Sequence, residues 1–331
     1  MPVVQEKPNL YFVLDASGSM ALDLADGTGS RMDAAKSAIT KVLLEVGHRI
    51  RYGLAVYPGY GADVCAAGEE LFVTQEGDPV QCVNKRRAGP VLSEFATRLA
   101  AIEPSRGTPI SATLGAVHPI VSELTGKTFV VLVTDGAPNC NAEAACEASD
   151  CMLNNEGVYF NGIACDDNFN CCDPALVDEE DAMLNCVDRS DTLDAVTALS
   201  DIGVKTYVIG VPGSEFYATL LDQLARAGGT AREGEPRAYY PVKDAESLTA
   251  TLKTIGTSVA TSCDITLQDA ARIDPSTINV YFDATLIPSS AEDGWTFKEP
   301  TVTLHGKPCE QLLAGEVVQV QVVAGCPTII K

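Results

Sequence analysis

Asp15-Ala16-Ser17-Gly18-Ser19 sets one carboxylate and two hydroxyls at alternate positions, directly after a run of apolar residues. Alternating oxygens on an exposed turn can converge on one point, and hard cations require oxygen ligands. Two more segments carry donors of the same type. One is Gly107-Thr108-Pro109, just ahead of a helical pattern; the other is Thr134-Asp135-Gly136, which ends the apolar stretch Phe129-Val130-Val131-Leu132-Val133. Pooled, Asp15, Ser17, Ser19, Thr108 and Asp135 offer five hard oxygen donors with no sulfur or imidazole. That set suits Mg²⁺ or Mn²⁺, since magnesium takes octahedral oxygen coordination at about 2.1 Å and gives up its waters reluctantly. Two carboxylates just balance a divalent ion, so an Asp or Glu carboxylate of a protein or surface ligand can replace a water. The chemistry expected is docking, not turnover.

These donors meet only if the elements between them deliver three loops to one edge. Asn9–Asp15 is a near-continuous apolar run, as expected of a strand buried on both faces. Residues 31–47 carry apolar side chains at helical spacing and stop at Gly47; 51–57 reads as a second strand. Helices follow over 90–102 and 109–125, the latter opened by Pro109 and closed by Gly126, and then a strand over 127–134. A helix at 189–202, a strand at 204–210, a helix at 214–227, a strand at 237–242 and a helix at 244–259 continue the pattern. This alternation predicts an α/β fold over residues 1–262: a doubly wound, mostly parallel, Rossmann-like sheet with helices on both faces. Such sheets bind ligands beyond the carboxyl ends of their strands, where the three donor segments fall. From residue 263 to 331, short strand-like runs at 264–267, 278–282, 301–304 and 317–322 alternate with Pro, Gly and Ser, with no obvious helix beyond a turn at Glu310–Leu313. They predict a small antiparallel β module.

Asp15-x-Ser17-x-Ser19, Thr108 and Asp135-Gly136, in this order and on these strand ends, resemble the metal-ion-dependent adhesion site of von Willebrand factor A domains. The resemblance covers about residues 7–260. It implies Ser17, Ser19 and Thr108 as direct or near-direct ligands, with Asp15 and Asp135 often acting through water. It also implies adhesion to an acidic group of a partner. Lys7-Pro8-Asn9-Leu10, with many cysteines and a β tail, is similar to secreted A-domain proteins of myxobacteria, among them an integrin-like outer-membrane adhesin used in gliding motility. That similarity implies an extracellular place at a bacterial cell surface. In integrin-type A domains the last helix, here 244–259, shifts between two states; with Cys263 close to it, a locked and a switchable domain both stand.

Charge and cysteines narrow the setting. The 331 residues hold 23 Lys and Arg against 45 Asp and Glu, a net −22 that repels phosphate backbones and anionic headgroups, so nucleic acid is not an expected partner. Solubility is the plainer account of the same charge. Twelve cysteines without a CxxC pair, beside three histidines, argue for a disulfide framework from an oxidising compartment and against zinc. No apolar run reaches the roughly 18 residues of a membrane span. Met1 to Lys7 reads as a mature secreted segment behind a new start, any signal or lipid anchor having been removed. The cysteines fall into groups of two, seven and three along the chain. If all twelve pair, the two odd groups favour at least one bridge from the insertion at 138–188 to the tail. Cys65–Cys82 and Cys309–Cys326 are the expected pairs, leaving Cys263 to reach the insertion.

The insertion emerges beside Asp135-Gly136, which makes it the expected partner-selecting segment, with structural elaboration as the alternative. Within it Asp166, Asp167, Asn168, Asn170 and Asp173 resemble a Ca²⁺-type acidic loop without EF-hand spacing, a second cation site weighed against a solvated, disulfide-pinned loop. Asp178 to Asp181 reads as the acidic first turn of a helix, and Trp295 with Tyr239-Tyr240 as core. Ala16-Ser17-Gly18 faintly resembles a nucleophile elbow, but Asp15 stands where the first glycine belongs and none of His48, His118 or His305 is placed as a base. No enzyme is expected. The alternative to adhesion is a structural subunit of a surface or envelope assembly of pilus-tip type, its metal fixing a permanent contact. An intracellular subunit of an ATP-driven machine is opposed by the cysteines and by the absence of G-x-x-x-x-G-K-[ST].

Overall fold

Strand β1 (Asn9–Asp15) is buried at every residue, so it must be covered on both faces. Its alternating side chains show by what: Leu10, Phe12 and Leu14 enter one apolar cluster, Tyr11 and Val13 another on the opposite face. These and all other structural facts come from a computed structural model that describes residues 6–60, 63–79, 88–105, 107–141, 146–268, 270–314, 316–317 and 319–329. β1 runs parallel to β2 (Arg51–Tyr57) and to β4 (Thr128–Thr134). With β3 (Glu69–Glu76), β7 (Lys205–Gly210) and β8 (Tyr240–Pro241) they form a six-stranded sheet in the order β3-β2-β1-β4-β7-β8, in which only β3 is antiparallel. Helices α1 (Arg31–Val46), α2 (Pro90–Ala100) and α8 (Ala245–Ala260) fill the Phe12 face. α3 (Ile110–Ser122), α6 (Arg189–Asp201) and α7 (Ala218–Ala227) fill the Tyr11 face. This is the doubly wound, mostly parallel α/β sheet that the alternating pattern predicts.

Departures from the expected elements have local causes. Residues 58–90, with Cys65 and Cys82 among Gly, Pro and charged residues, read as a loop or hairpin; they contain β3, whose pattern is weak because only Phe72 of its eight residues is fully buried at the sheet edge. The helix expected at 214–227 opens with a 3₁₀ turn, Ser214–Tyr217, before α7. The strand expected at 237–242 pairs only over Tyr240–Pro241. Tyr239 is core, whereas Tyr240 is half-buried with the Arg232 guanidinium 5.1 Å from its ring centre.

In the insertion, α4 (Met152–Glu156), the hairpin β5 (Tyr159–Phe160) and β6 (Ile163–Ala164), and α5 (Glu179–Asn185) surround a cluster made largely of cystine sulfur. Cys146–Cys186, Cys151–Cys172 and Cys165–Cys171 tie it together. Asp178 caps α5, whose first turn is acidic, as expected.

Beyond residue 263, β9 (Asp264–Thr266), β10 (Asn279–Phe282), β11 (Thr285–Ile287), β12 (Gly294–Lys298), β13 (Thr301–His305) and β14 (Val320–Val323) form two three-stranded antiparallel sheets, β11-β10-β14 and β12-β13-β9. They share an apolar cluster centred on Trp295, whose indole N–H donates to the Ile287 carbonyl at 2.9 Å. Where only a turn at Glu310–Leu313 was expected, a helix, α9 (Lys307–Leu313), buries Leu312 there.

Two expected disulfides are corrected. Cys65 pairs with Cys140, not Cys82, and Cys309 pairs with Cys263, not Cys326, which is free and exposed; Cys82 lies outside the described residues. Parity along the chain misled, because neighbourhood in the sheet decides pairing. The loop after β2 and the exit of β4 share one edge of the sheet. β9 pairs with β13, which brings residue 263 close to the segment that follows β13. The seventh cysteine of the insertion therefore bridges back to the β2–β3 loop instead of forward to the tail. No helix among the described residues is long and apolar enough to cross a membrane.

Candidate metal centre

β1 and β4 are neighbours in register, Leu14 opposite Val133, so Asp15 and Thr134 end side by side at the carboxyl edge. Asp15 is fully buried. One of its oxygens accepts from the Thr134 hydroxyl at 2.7 Å and the other from the Ser17 backbone N–H at 2.8 Å. The chain then turns through a 3₁₀ segment, Gly18–Ala21, which sets the Ser17 and Ser19 hydroxyl oxygens 3.1 Å apart. Ser19 donates to Asp135 Oδ1 at 2.7 Å, joining the two strand ends. Asp135 Oδ2 accepts from Arg31 Nη1 at 2.6 Å, with the Asp135 side chain wholly buried.

Thr108 reaches this edge through backbone contacts. The Ser105 N–H donates to the Ala16 carbonyl at 2.7 Å, and Ser105 bridges Ser17. The Thr108 N–H donates to Asn139 Oδ1 at 2.6 Å, and the Asn139 N–H returns a bond to the Thr108 carbonyl at 3.0 Å. Asn139 is itself anchored by its side-chain amide on the Leu184 carbonyl in α5. Asp15, Ser17, Ser19 and Asp135 thus stand around one hydrogen-bonded chain, and Thr108 sits on a loop clamped against both ends of it. Sequence reasoning missed Arg31, Asn139 and the hydroxyl of Thr134. Arg31 alone left a signal, being a cation in the first turn of a helix, where the dipole favours anions.

Burying two carboxylates together is unfavourable. Burial, and then the neighbouring Asp135 charge, push the Asp15 carboxyl up to about 7. Burial also raises Asp135, against the lowering effect of Arg31 and Ser19. A divalent cation relieves both. The 3.1 Å between the two serine oxygens matches the edge of an octahedron of ligands at roughly 2.1 Å, about 3.0 Å. Ser19 spends its proton on Asp135 and can then only accept from Ser17, which leaves it one lone pair for a metal. The residues present therefore fit a hard ion of Mg²⁺ type. No three His, Cys, Asp or Glu side chains come together as a ligand group among the described residues.

The acidic loop of the insertion is arranged differently. Asp166 Oδ1 accepts from the N–H groups of Asn168 and Phe169, and Asp173 Oδ1 from that of Ala175. Asn170 donates to the Cys146 carbonyl and accepts from the Cys172 N–H. Asp167 is exposed. Asp166 and Asp173 thus each close a local turn, and Asn170 ties the loop to Cys146.

No protein-family model matches the chain, and no curated protein does. Among solved structures it is similar to the pilus adhesin SpaC from Lactobacillus rhamnosus GG, at 15% identity and a TM-score of 0.51, over 97% of this chain and 39% of SpaC. The PilB minor pilin from Streptococcus sanguinis (20% identity, 78% of this chain and 62% of that one, TM-score 0.47) and the vWF domain of the type V pili tip protein Mfa5 from Porphyromonas gingivalis (13%, 77% and 96%, 0.46) resemble it less. The chain spans less than two thirds of SpaC and of PilB. At this level of identity, what it shares with SpaC is the fold alone.

Proposed function

We propose that this is an extracellular, cell-surface adhesion or ligand-binding protein of von Willebrand factor A type. It holds Mg²⁺ or Mn²⁺ at Asp15, Ser17, Ser19, Thr108 and Asp135, and engages an Asp or Glu carboxylate of its partner through that ion. The observation that carries this reading is the hydrogen-bonded chain from Thr134 through Asp15 to Ser17, Ser19 and Asp135 at the carboxyl edge of the sheet. Ser17, Ser19 and Thr108 present oxygens to the ion; Asp15 and Asp135 orient the hydroxyls and reach it through water. When bound, the ion supplies an electrophilic point for an anionic oxygen. Apolar side chains exposed on loops at the same edge, Leu22 just past Ser19 and Phe216 just past Gly213, add contact area for a partner. Ser17 meets the Ser19 hydroxyl and no imidazole, which supports binding over hydrolysis.

Calorimetric titration of Mg²⁺, Mn²⁺ and Ca²⁺ into wild type and a Ser17→Ala/Ser19→Ala variant tests the proposal. One-site binding lost in the variant supports it; a wild type that binds none of the three, even with acetate present, overturns it. The fold shared with a pilus adhesin favours a second reading, a structural subunit of a surface assembly whose metal fixes a permanent contact. Self-assembly that persists through chelation on size exclusion would put that reading first.

A further inference from the structure

Arg31 occupies the first position of α1, immediately after the cap Ser30. A cation is misplaced there, because the amino end of a helix favours negative charge. Its side chain is only 15% exposed, and its Nε is buried with no hydrogen-bond partner. Room for the guanidinium exists because residue 213 is glycine in the left-handed region, φ +109°; a Cβ there would lie 2.6 Å from Nη1. An unfavourable helix position, an unpaired N–H and a glycine in that conformation all serve one contact, the 2.6 Å bond to Asp135 Oδ2. With Ser19 on Oδ1, each Asp135 oxygen already accepts one hydrogen bond, which weakens this carboxylate as a direct ligand.

We infer that Arg31 is a built-in counter-cation of the metal centre, one that weakens its hold on the divalent ion and strengthens the ion's pull on an anionic partner. This rests on the proposed metal site. With both carboxylates ionised, Asp15, Asp135 and Arg31 sum to −1, so a divalent ion brings the centre to +1 where the two acids alone would leave zero. Like charge lowers cation affinity, and the surplus positive charge is directed at whatever oxygen completes the shell. In a chain of net −22 an anionic partner needs such a local inversion of sign. Arginine suits the task because it stays charged when buried.

Mg²⁺ alone is titrated calorimetrically into the full chain as wild type, Arg31→Met, Arg31→Gln, Arg31→Lys and Asp15→Ala. Acetate is then titrated into the Mg²⁺-loaded forms as the carboxylate probe. The neutral variants are expected to bind Mg²⁺ at least tenfold tighter, and acetate correspondingly weaker, with Arg31→Lys near wild type. Thermal unfolding in metal-free buffer identifies which neutral variant is folded and so decisive. Mg²⁺ binding in a neutral variant where wild type shows none also supports the inference. Unchanged or weaker Mg²⁺ binding in the folded neutral variants, with wild-type binding intact and lost in Asp15→Ala, overturns the inference and leaves the metal site standing. Binding in none of the proteins overturns both.

Discussion

Thr108 and Asn139 hold each other by reciprocal bonds: the Thr108 N–H donates to the Asn139 side-chain oxygen at 2.6 Å, and the Asn139 N–H donates to the Thr108 carbonyl at 3.0 Å. Asn139 is therefore the buried link between the loop after α2 and the exit of β4, and its amide continues the link to α5.

Asn139→Ala removes one half of that link and strands a buried N–H, at a cost of about 1–3 kcal/mol. It also frees the loop that presents Thr108. Mg²⁺ affinity is expected to fall about tenfold or more while the protein stays folded at room temperature. Calorimetry beside a urea unfolding curve checks both. An affinity within twofold of wild type would remove Asn139 from the positioning set.

Gly107, one residue before Thr108, carries φ +84°, and a Cβ there would lie 2.8 Å from the Cys140 sulfur. The Cys65–Cys140 bridge is packed directly against the loop. Cys65→Ser/Cys140→Ser is expected to weaken Mg²⁺ binding several-fold and to lower stability by about 2–4 kcal/mol, the usual contribution of a bridge closing a long loop. Cys263→Ser/Cys309→Ser removes a bridge in the C-terminal segment and serves as the control. Stability lost in both pairs, with Mg²⁺ affinity lost only in the first, is the expected pattern.

A substitution in the core separates folding from binding. Phe12 is fully buried at the centre of β1, edge-on to Phe95 with ring centroids 6.3 Å apart. Phe12→Ala is expected to cost about 3–5 kcal/mol, read as a lower urea midpoint with an unchanged slope. The fraction that remains folded should bind Mg²⁺ as wild type does. A parallel loss of affinity would mean that strand ends and core are coupled.

Much of this was legible in the sequence, for a physical reason. A strand buried on both faces must be apolar throughout, so β1 and β4 announce themselves, and their ends locate Asp15 and Asp135. Hydroxyls spaced by two residues are equally visible. Two things were not visible. Partners that meet only in space, such as Asn139 with Thr108 or Cys65 with Cys140, leave no trace in spacing. β3 is an edge strand with one fully buried residue, so its pattern does not separate a loop from a hairpin. Arg31 did leave a trace, a positive charge where the dipole of α1 favours a negative one, but the Asp135 carboxylate that explains it lies 104 residues away.

The pH dependence carries a definite sign. Asp15 sits at about 7 in the folded chain against an ordinary 3.8, raised first by burial and then by Asp135. Between about pH 4 and 7 the folded protein holds a proton that the unfolded chain has lost. In metal-free buffer this group's contribution is therefore full below about pH 4 and is lost as pH rises to about 7, by an amount on the order of 1–4 kcal/mol. Asp33 works in the opposite sense: its carboxyl is lowered by the Ser30 hydroxyl, so its contribution is present above the ordinary value and lost as pH falls through the lowered one. The two windows do not overlap. Glu70 is raised by burial and titrates in part of the same range, so the comparison that isolates Asp15 is wild type against Asp15→Asn. Because Mg²⁺ must displace the Asp15 proton, its affinity should climb with pH, by up to tenfold per unit, and level off above about 7. Thermal midpoints across pH with and without Mg²⁺ read both effects. A metal-free profile for wild type that runs parallel to that of Asp15→Asn through this window would mean that Asp15 is ionised throughout, despite its burial beside Asp135.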